Sequence, residues 1–242
     1  MTGIVLAAGP GRRLQTLTAE LPKTLLPLSD GRTILDVILA NLRRVGVETA
    51  HVVTGFAAER IAERVPDLER RHGMRLELVF NEWAEEWNNA YSLWLARDAF
   101  REGALLVNGD TVHPAGVEET LLAARGADVL LAIDDRKMLG REEMKVVTGD
   151  GRLVRIDKAV QPAAAAGEYI GVALIESAAA SALAHALETT WGRDPSLYYE
   201  DGFQEFADRG GEVGVAPIGT LDWVEVDDDA DLARAREIEC RC

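Results

Sequence analysis

The chain has 242 residues, of which 48% are hydrophobic, and its formal net charge at pH 7 is −15. This length and hydrophobic fraction suit one α/β domain with a sizeable core. The negative charge argues against nucleic acid as a partner, because a phosphate backbone requires a basic protein face. No apolar run approaches the roughly 20 residues of a membrane span, and no signal peptide pattern is evident at the N-terminus. We therefore expect a cytoplasmic protein without a membrane partner.

Cysteine and histidine offer no framework for a disulfide or a zinc site. The two cysteines, Cys240 and Cys242, lie at the extreme tail and are too few for either purpose. The four histidines lie far apart in the sequence and show no ligand spacing. If the protein binds a metal, we expect oxygen ligands to hold it.

The first half of the chain alternates predicted strands and helices. An apolar run at residues 3–8 is too short for a helix and predicts a buried strand. Residues 33–45 carry apolar side chains at helical spacing, and Gly46 ends that helix. Further strands are predicted at residues 49–54, 75–80, 104–108 and 128–133, and further helices at 59–65 and 90–100. This order is typical of an α/β fold with a Rossmann-like, mostly parallel sheet and helices on both faces.

The second half of the chain changes to an antiparallel pattern. Apolar runs at residues 144–147 and 153–160 flank a turn at 149–151, which predicts a hairpin. The other predicted elements are strands at residues 168–175, 213–217 and 223–226, helices at 177–187, 197–207 and 231–239, and a loop at 161–167. We expect these strands to extend the sheet as an antiparallel lobe.

The loop after the first strand carries the clearest chemical signal in the chain. Its sequence is Leu6-Ala7-Ala8-Gly9-Pro10-Gly11-Arg12-Arg13-Leu14, and Pro22-Lys23 follows. Two glycines one residue apart let the backbone approach a bulky ligand, and three cations close behind them suit a triphosphate. The third glycine of a dinucleotide fingerprint and the lysine spacing of a P-loop are both absent. From these residues alone, nucleotide binding and an ordinary tight turn both remain open.

The longer string, which adds Pro22-Lys23-Thr24-Leu25-Leu26-Pro27-Leu28, closely resembles the signature of the nucleotidyltransferase (sugar-phosphate pyrophosphorylase) superfamily. Within that superfamily the chain resembles the bacterial choline-phosphate and aminoethylphosphonate cytidylyltransferases, with landmarks from Leu6 to Asp227. The resemblance implies catalytic roles for Arg13 and Lys23. The nucleotide-binding residues that it implies are Leu6, Ala7, Ala8, Gly9, Gly11, Arg12, Arg13, Lys23, Asn88, Ser92 and Asp110.

Asn88 and Asp110 also have ordinary structural interpretations. Asn88 or Asn89 could cap the predicted helix at residues 90–100. An Asn-Gly-Asp sequence is often only a turn, although here it closes a buried strand instead of linking two hairpin strands. The resemblance implies that one asparagine and Ser92 lie against the nucleotide, and that Asp110 binds the catalytic metal.

A second acidic segment lies at residues 222–229. Strand alternation places Glu225 and Asp227 on one side of this segment and two valines on the other. The resemblance implies that this segment supplies the remaining metal carboxylates. Mg²⁺ prefers oxygen ligands and keeps several waters, so Asp110, Glu225 and Asp227 fit a magnesium site.

Two lysines and a glutamate are assigned to the acceptor substrate. Lys145 and Lys158 are nearly isolated cations among apolar strand residues, where they could also lie on a solvated outer face. The resemblance implies that Lys158 contacts the acceptor phosphate. Glu168, at the start of the predicted strand at residues 168–175, is assigned to the same substrate.

Aromatic side chains beside carboxylates favour an aminated acceptor. Tyr198, Glu200 and Asp201 form such a group, because Tyr198 and Asp201 share a face of the predicted helix. The same acids could instead be the first turn of that helix, where negative charge is favoured. Both interpretations remain open from the residues, and the resemblance favours an ammonium-binding group.

We therefore expect an enzyme, a Mg²⁺-dependent cytidylyltransferase. CTP and a small phosphomonoester or phosphonate, such as phosphocholine or aminoethylphosphonate, would give a CMP-linked product and pyrophosphate. The predicted domain spans residues 1–242, with a nucleotide-binding half at 1–133, an acceptor-binding lobe at 134–221 and a closing strand and helix at 222–242.

Several alternatives remain open at this point. One is an inositol-phosphate or sugar-1-phosphate nucleotidyltransferase, and a more remote one is a non-catalytic nucleotide-binding regulator. The regulator is disfavoured because it would be expected to lose a metal carboxylate, whereas Asp110 and Asp227 are both present. The residues leave open the choice between CTP and UTP, the acceptor, and assembly as a homodimer.

Overall fold

A computed structural model describes residues 1–14, 17–29 and 31–239. Within these residues, nine strands form one sheet and two short strands form a separate ribbon. The strands are β1 (Thr2–Leu6), β2 (Thr49–Thr54), β3 (Arg75–Phe80), β4 (Ala104–Asn108), β5 (Thr111–Val112), β6 (Val129–Asp134), β7 (Lys145–Gly149), β8 (Arg152–Asp157), β9 (Gly167–Ile175), β10 (Val213–Pro217) and β11 (Val224–Glu225).

Helices cover both faces of the sheet. They are α1 (Ile34–Arg44), α2 (Ala58–His72), α3 (Asn89–Leu95), α4 (Gly116–Ala123), α5 (Ala180–Arg193), α6 (Tyr199–Asp208) and α7 (Asp229–Glu239). One hydrophobic core contains residues of α1, α2, α4 and α7, and a second contains residues of α3, α5 and α6. None of the helices within the described ranges is long and apolar enough to cross a membrane.

The sheet has the order β3-β2-β1-β4-β9-β6-β10-β8-β7. Strands β1 to β4 pair in parallel, and Leu6 at the end of β1 lies opposite Asn108 at the end of β4. Strand β9 lies between β4 and β6 and is antiparallel to both, with Glu168 opposite Asp134. The carboxyl ends of β1, β4 and β6 and the beginning of β9 therefore meet at one edge, where ligands of such sheets bind.

The two-stranded ribbon extends this edge. Strand β5 pairs with β11, and the backbone N–H of Val226 donates to the carbonyl of Asp110 at 2.9 Å. This pairing carries Glu225 and Asp227 from the end of the chain to the loop that follows β4.

The predicted fold class is confirmed, and most of the predicted elements are present. The bounds of β2, β3, β4 and β10 are those that the sequence predicts. Two elements were not predicted, β5 and α4. A two-residue strand is too short to show alternation, and only its pairing with β11 defines it. The functional division of the domain at residues 133 and 221 stays a prediction.

The second helix is longer than its pattern predicts. The sequence predicts an end at Val65, before Pro66, but α2 continues to His72. A proline inside a helix removes a hydrogen bond and is normally costly. Contacts beyond it compensate, because Leu68 is fully buried and both Arg71 and His72 reach Asp36.

Asp36 is a buried anion that joins α1 to α2. Its carboxylate accepts hydrogen bonds from the backbone and hydroxyl of Thr33 at 2.9 and 2.8 Å, and lies 2.7 Å from Arg71 and 3.0 Å from His72. Burial alone would raise the pKa of Asp36. The hydrogen bonds from His72 and Thr33 and the charge of Arg71 lower it instead, well below the usual range.

We predict that Asp36→Asn lowers the free energy of unfolding by about 3 kcal/mol, because it leaves buried donors and cations without their anion. Urea denaturation at pH 7 measures this loss. The matched control is Asp67→Asn, which removes an exposed partner of Arg71 and should cost less than about 1 kcal/mol.

The difference between wild type and Asp36→Asn should depend on pH in one direction. A carboxylate with a lowered pKa stabilises the fold fully above the ordinary value of about 4, and this stabilisation is lost as the pH falls below it. A difference that persists undiminished at pH 2 would contradict the account.

Candidate active site

The predicted glycine loop lies at the carboxyl ends of β1 and β4. The backbone N–H of Gly109 donates to the carbonyl of Leu6 at 2.9 Å. A Cβ atom at Gly109 would stand 2.4 Å from that carbonyl oxygen, which no side chain tolerates. Because the two backbones approach so closely, the loop after β1 packs against the turn that contains Asp110.

A cavity of 260 Å³ opens beside this loop. It is lined by nine of the predicted nucleotide-binding residues, which are Leu6, Ala7, Ala8, Gly9, Gly11, Lys23, Asn88, Ser92 and Asp110. Asn88 also caps α3, since its side chain accepts a hydrogen bond from the backbone of Asn89 at 2.8 Å. Arg13 lines a different cavity, and the side chain of Arg12 lies outside the described part of the structure. Nucleotide binding by these residues stays a prediction.

Sequence reasoning did not assign four further residues that line this cavity: Thr24, Asn89, Asn108 and Gly109. The hydroxyl of Thr24 is buried and has no hydrogen-bond partner within the described residues. Asn89 and Asn108 accept hydrogen bonds from the backbone and hydroxyl of Tyr199, each at 2.9 Å. Because Asn108 ends a predicted strand, the sequence could have placed it at the ligand-binding edge of the sheet.

Three carboxylates meet between the loop and the ribbon. One oxygen from each of Asp110, Glu225 and Asp227 lies within 4.8 Å of the others. The ammonium of Lys23 lies between two of them, 2.8 Å from Asp110 and 2.9 Å from Asp227. Arg13 forms an ion pair with the other oxygen of Asp227.

The electrostatics of this cluster favour a cation. Desolvation in the cleft and the negative charges of Asp110 and Asp227 raise the pKa of Glu225 to about 8. Burial alone would lower the pKa of Lys23, but the two aspartates raise it well above its usual value. Three carboxylates, two of which already hold an ammonium, are a suitable set of oxygen donors for a divalent cation.

A larger cavity of 610 Å³ lies on the other side of the carboxylates. Glu225 borders both cavities, while Arg13 and Asp227 line the larger one. Of the residues predicted to bind an acceptor, Lys158 and Glu168 line it. The acidic cluster is therefore positioned between two ligand-sized spaces.

Lys145, the other lysine assigned to the acceptor, is buried away from this cavity. Its ammonium donates to the carbonyls of Arg141 and Glu143 at 3.3 and 2.9 Å. Lys145 therefore braces the loop between β6 and β7. Sequence reasoning offered a solvated outer face or substrate binding for Lys145, whereas the structure places the side chain in the interior.

The structure places Tyr198, Glu200 and Asp201 together at the start of α6. Tyr198 is exposed and precedes α6, Glu200 is buried, and Asp201 accepts a hydrogen bond from the backbone of Tyr198 at 2.8 Å. Burial raises the pKa of Glu200 to about 7. Glu200 and Asp201 thus lie in the first turn of α6, which sequence reasoning offered as the alternative, and binding of an acceptor by these residues stays a prediction.

The larger cavity also contains residues that sequence reasoning did not assign, including Asp134, Lys137, Glu143 and Trp223. Asp134 directly follows the predicted strand at residues 128–133, so its place at the carboxyl edge of the sheet could have been a signal. Lys137 and Glu143 lie on an irregular loop, where no periodicity marks them.

The chain is similar in sequence to known proteins. The profile of the MobA-like NTP transferase domain matches residues 3–197. The CMP-5'-(3-aminopropyl)phosphonate synthase of Streptomyces rubellomurinus is 31% identical over 243 residues, covering 96% of this chain and 38% of that protein. The choline-phosphate cytidylyltransferase of Haemophilus influenzae is 26% identical over 157 residues, covering 65% of this chain and 62% of that protein.

Among solved structures, the inositol-1-phosphate CTP transferase from T. maritima superposes with a TM-score of 0.83 at 22% identity. The match covers 98% of this chain and 95% of that one. At this identity the likeness establishes the fold. The chain spans less than two thirds of the length of the two curated relatives, 38% of one and 62% of the other.

The glycine loop allows a test that separates folding from ligand binding. A Cβ atom at Gly9 would meet no atom within 4 Å, and Gly9 lines the smaller cavity. We predict that Gly9→Ala leaves the melting temperature unchanged and weakens binding of CTP about tenfold or more, because the methyl group occupies ligand space. Differential scanning fluorimetry and calorimetric titration measure the two effects.

Gly192→Ala is the matched control, since Gly192 lies in α5 and a Cβ atom there also meets nothing within 4 Å. Equal affinity of Gly9→Ala and wild type for CTP would show that the nucleotide does not lie against this loop.

Proposed function

The chain belongs to the MobA-like NTP transferase family, and from this premise we propose that it is a Mg²⁺-dependent cytidylyltransferase acting on a small phosphomonoester or phosphonate. The observation that carries the proposal is the carboxylate cluster of Asp110, Glu225 and Asp227 between two cavities. Relatives whose names specify CMP-phosphonate synthesis and choline-phosphate cytidylyl transfer support the choice of cytidine nucleotide and acceptor class.

The proposed reaction joins two phosphorus centres. An oxygen of the acceptor attacks the α-phosphorus of CTP and forms a new P–O bond. The bond between the α-phosphorus and the oxygen bridging to the β-phosphorus breaks, and pyrophosphate leaves with that electron pair. Asp110, Glu225 and Asp227 would hold Mg²⁺, which supplies positive charge to the phosphate oxygens when bound.

The two basic residues beside the cluster have roles in this scheme. Lys23 lines the smaller cavity, and Arg13 lines the larger one. Their charges would stabilise the negative charge that builds up on the leaving pyrophosphate and on the reacting oxygens. Loss of one such donor typically lowers kcat about 10²- to 10³-fold.

The scheme needs no general base. The second pKa of a phosphomonoester is about 6, so the attacking oxygen is largely deprotonated at neutral pH. The cavity then has to position the acceptor and reduce its repulsion from the triphosphate. Lys158, which lines the cavity and was assigned to the acceptor phosphate, is suited to this task. Cytoplasmic location and a homodimer remain predictions.

Release of pyrophosphate tests the proposal. The assay crosses CTP, UTP, ATP and GTP with 2-aminoethylphosphonate, phosphocholine, inositol phosphate and glucose 1-phosphate in the presence of Mg²⁺. We expect the highest kcat/KM for CTP with a phosphonate or an aminated phosphomonoester. Preference for glucose 1-phosphate or inositol phosphate would favour the sugar- or inositol-phosphate alternative, and no release with any pair would contradict the proposal.

We predict that Asp110→Asn and Asp227→Asn each lower kcat about 100-fold or more at saturating Mg²⁺, because each removes an anionic ligand from a hard cation. Steady-state kinetics measure the loss, and thermal melting verifies the fold. The control is Asp150→Asn in the turn between β7 and β8, where the positive φ suits asparagine. Retention of a tenth of the wild-type rate by Asp110→Asn would refute the metal assignment.

A further inference from the structure

The larger cavity contains a second ammonium held by carboxylates, that of Lys137. Its Nζ lies 2.8 Å from Glu168 and 3.7 Å from Glu143. The same nitrogen lies 5.3 Å from the centre of the Trp223 ring. All four residues line the cavity.

The walls around this ammonium are fixed by hydrogen bonds. The indole N–H of Trp223 donates to Asp134 at 2.9 Å, which sets the orientation of the ring. The other oxygen of Asp134 accepts from the backbone N–H groups of Arg136 and Lys137 at 2.9 and 3.1 Å. Glu168 is the second residue of β9, and its side chain is only 7% exposed. Asp134, Glu143, Glu168 and Trp223 thus form a subsite whose walls are fixed by the ends of two strands and by a buried aromatic ring.

The subsite holds more negative than positive charge. Asp134, Glu143 and Glu168 face the single ammonium of Lys137. Burial raises the pKa of Glu168, and repulsion from Glu143 and Asp134 acts in the same direction. The excess of negative charge therefore favours a bound cation in this subsite, whether the cation belongs to the protein or to a ligand.

Lys137 is suited to leave the subsite. It lies on the irregular loop of residues 135–144, and its side chain is 43% exposed, so its ammonium can move into water when another cation takes its place beside Glu168. The base of the loop is held by Lys145, whose ammonium binds the carbonyls of Arg141 and Glu143. The loop can therefore release one side chain while its anchor stays in place.

We propose that this subsite of Asp134, Glu143, Glu168 and Trp223 binds the primary ammonium of the acceptor, and that Lys137 occupies it until the acceptor displaces it. The inference rests on the proposed function and names its substrate class, a short aminoalkyl phosphonate or phosphate. Lys137 is then an internal competitor that lowers the apparent affinity for the acceptor.

The contacts favour a primary ammonium over a quaternary one. Lys137 donates an N–H hydrogen bond to Glu168, which a trimethylammonium group cannot do. A quaternary ammonium is best held by several aromatic faces. Among the described residues that line the cavity, Trp223 is the only aromatic one.

The position of the subsite also fits a short acceptor. Trp223 precedes Glu225 by two residues, and two residues of extended chain span about 6.6 Å. An acceptor whose phosphonate lies at the carboxylate cluster would need only a short alkyl chain to bring its nitrogen to Trp223.

Steady-state kinetics with two matched acceptors test the proposal. 2-Aminoethylphosphonate carries a primary ammonium, and ethylphosphonate lacks it. We expect wild type to prefer the aminated acceptor by about 10- to 100-fold in kcat/KM, because a charge-assisted hydrogen bond is lost with the neutral one. Lys137→Gln should lower KM for 2-aminoethylphosphonate by about 3- to 10-fold and leave KM for ethylphosphonate unchanged.

Two further variants sharpen the assignment. Glu168→Gln should raise KM for 2-aminoethylphosphonate and leave KM for ethylphosphonate unchanged. Arg141→Gln is the matched control, since Arg141 is an exposed cation of the same loop outside the lining of the cavity, and both KM values should equal those of wild type.

Three results would overturn the proposal. An equal rise of KM for both acceptors in Lys137→Gln would make Lys137 a phosphonate-binding residue. Loss of amine preference in Glu200→Gln, with Glu168→Gln unaffected, would move the ammonium to the region of Tyr198. Equal use of both acceptors by wild type would remove the ammonium subsite but leave cytidylyl transfer supported, whereas no turnover of either acceptor with CTP would contradict the proposed function itself.

Discussion

Mutual repulsion of carboxylates at one edge of the sheet is the constraint on which the site depends. Asp110, Glu225 and Asp227 lie close enough that their charges cannot remain uncompensated, and Lys23 bridges two of them. In the lining of the larger cavity, Glu168 and Glu143 are compensated by Lys137 in the same manner. In both places an internal ammonium lies where our proposals put a cationic ligand, a metal ion in one case and the acceptor in the other.

The fold brings these charges together through strand order. Strand β9 enters the sheet between β4 and β6, so Glu168 lies opposite Asp134 at the edge where β4 also ends. The ribbon of β5 and β11 then returns the last acidic segment to Asp110. A parallel sheet alone would supply the glycine loop and Asp110. The antiparallel strand and the ribbon add the other carboxylates and the second cavity.

The parts of the site that could be predicted are those with a local signature. The glycine loop and Asp110 follow buried strands, Lys23 belongs to the signature string after that loop, and alternation placed Glu225 and Asp227 on one side of their segment. The structure brings these residues together, and the fold class is confirmed.

Residues whose positions depend on distant contacts could not be predicted. The alternation of side chains along a strand does not distinguish a solvent-exposed face from a buried one when helices cover both sides of a sheet. The sequence therefore did not indicate that Lys145 is buried. Pro66 predicted the end of a helix, but α2 continues beyond it, where Arg71 pairs with Asp36 of α1. Lys137 lies on a loop without periodicity, and only the folded chain brings it to Glu168 and Trp223.

The most direct test of the central claim is a crystal structure with Mn²⁺ and a non-hydrolysable CTP analogue, with the metal located by its anomalous scattering. The account predicts that Mn²⁺ is coordinated by Asp110 and Asp227, with Lys23 moved from between them to the phosphates. A metal bound by the phosphates alone, with Lys23 still bridging the two aspartates, would contradict it.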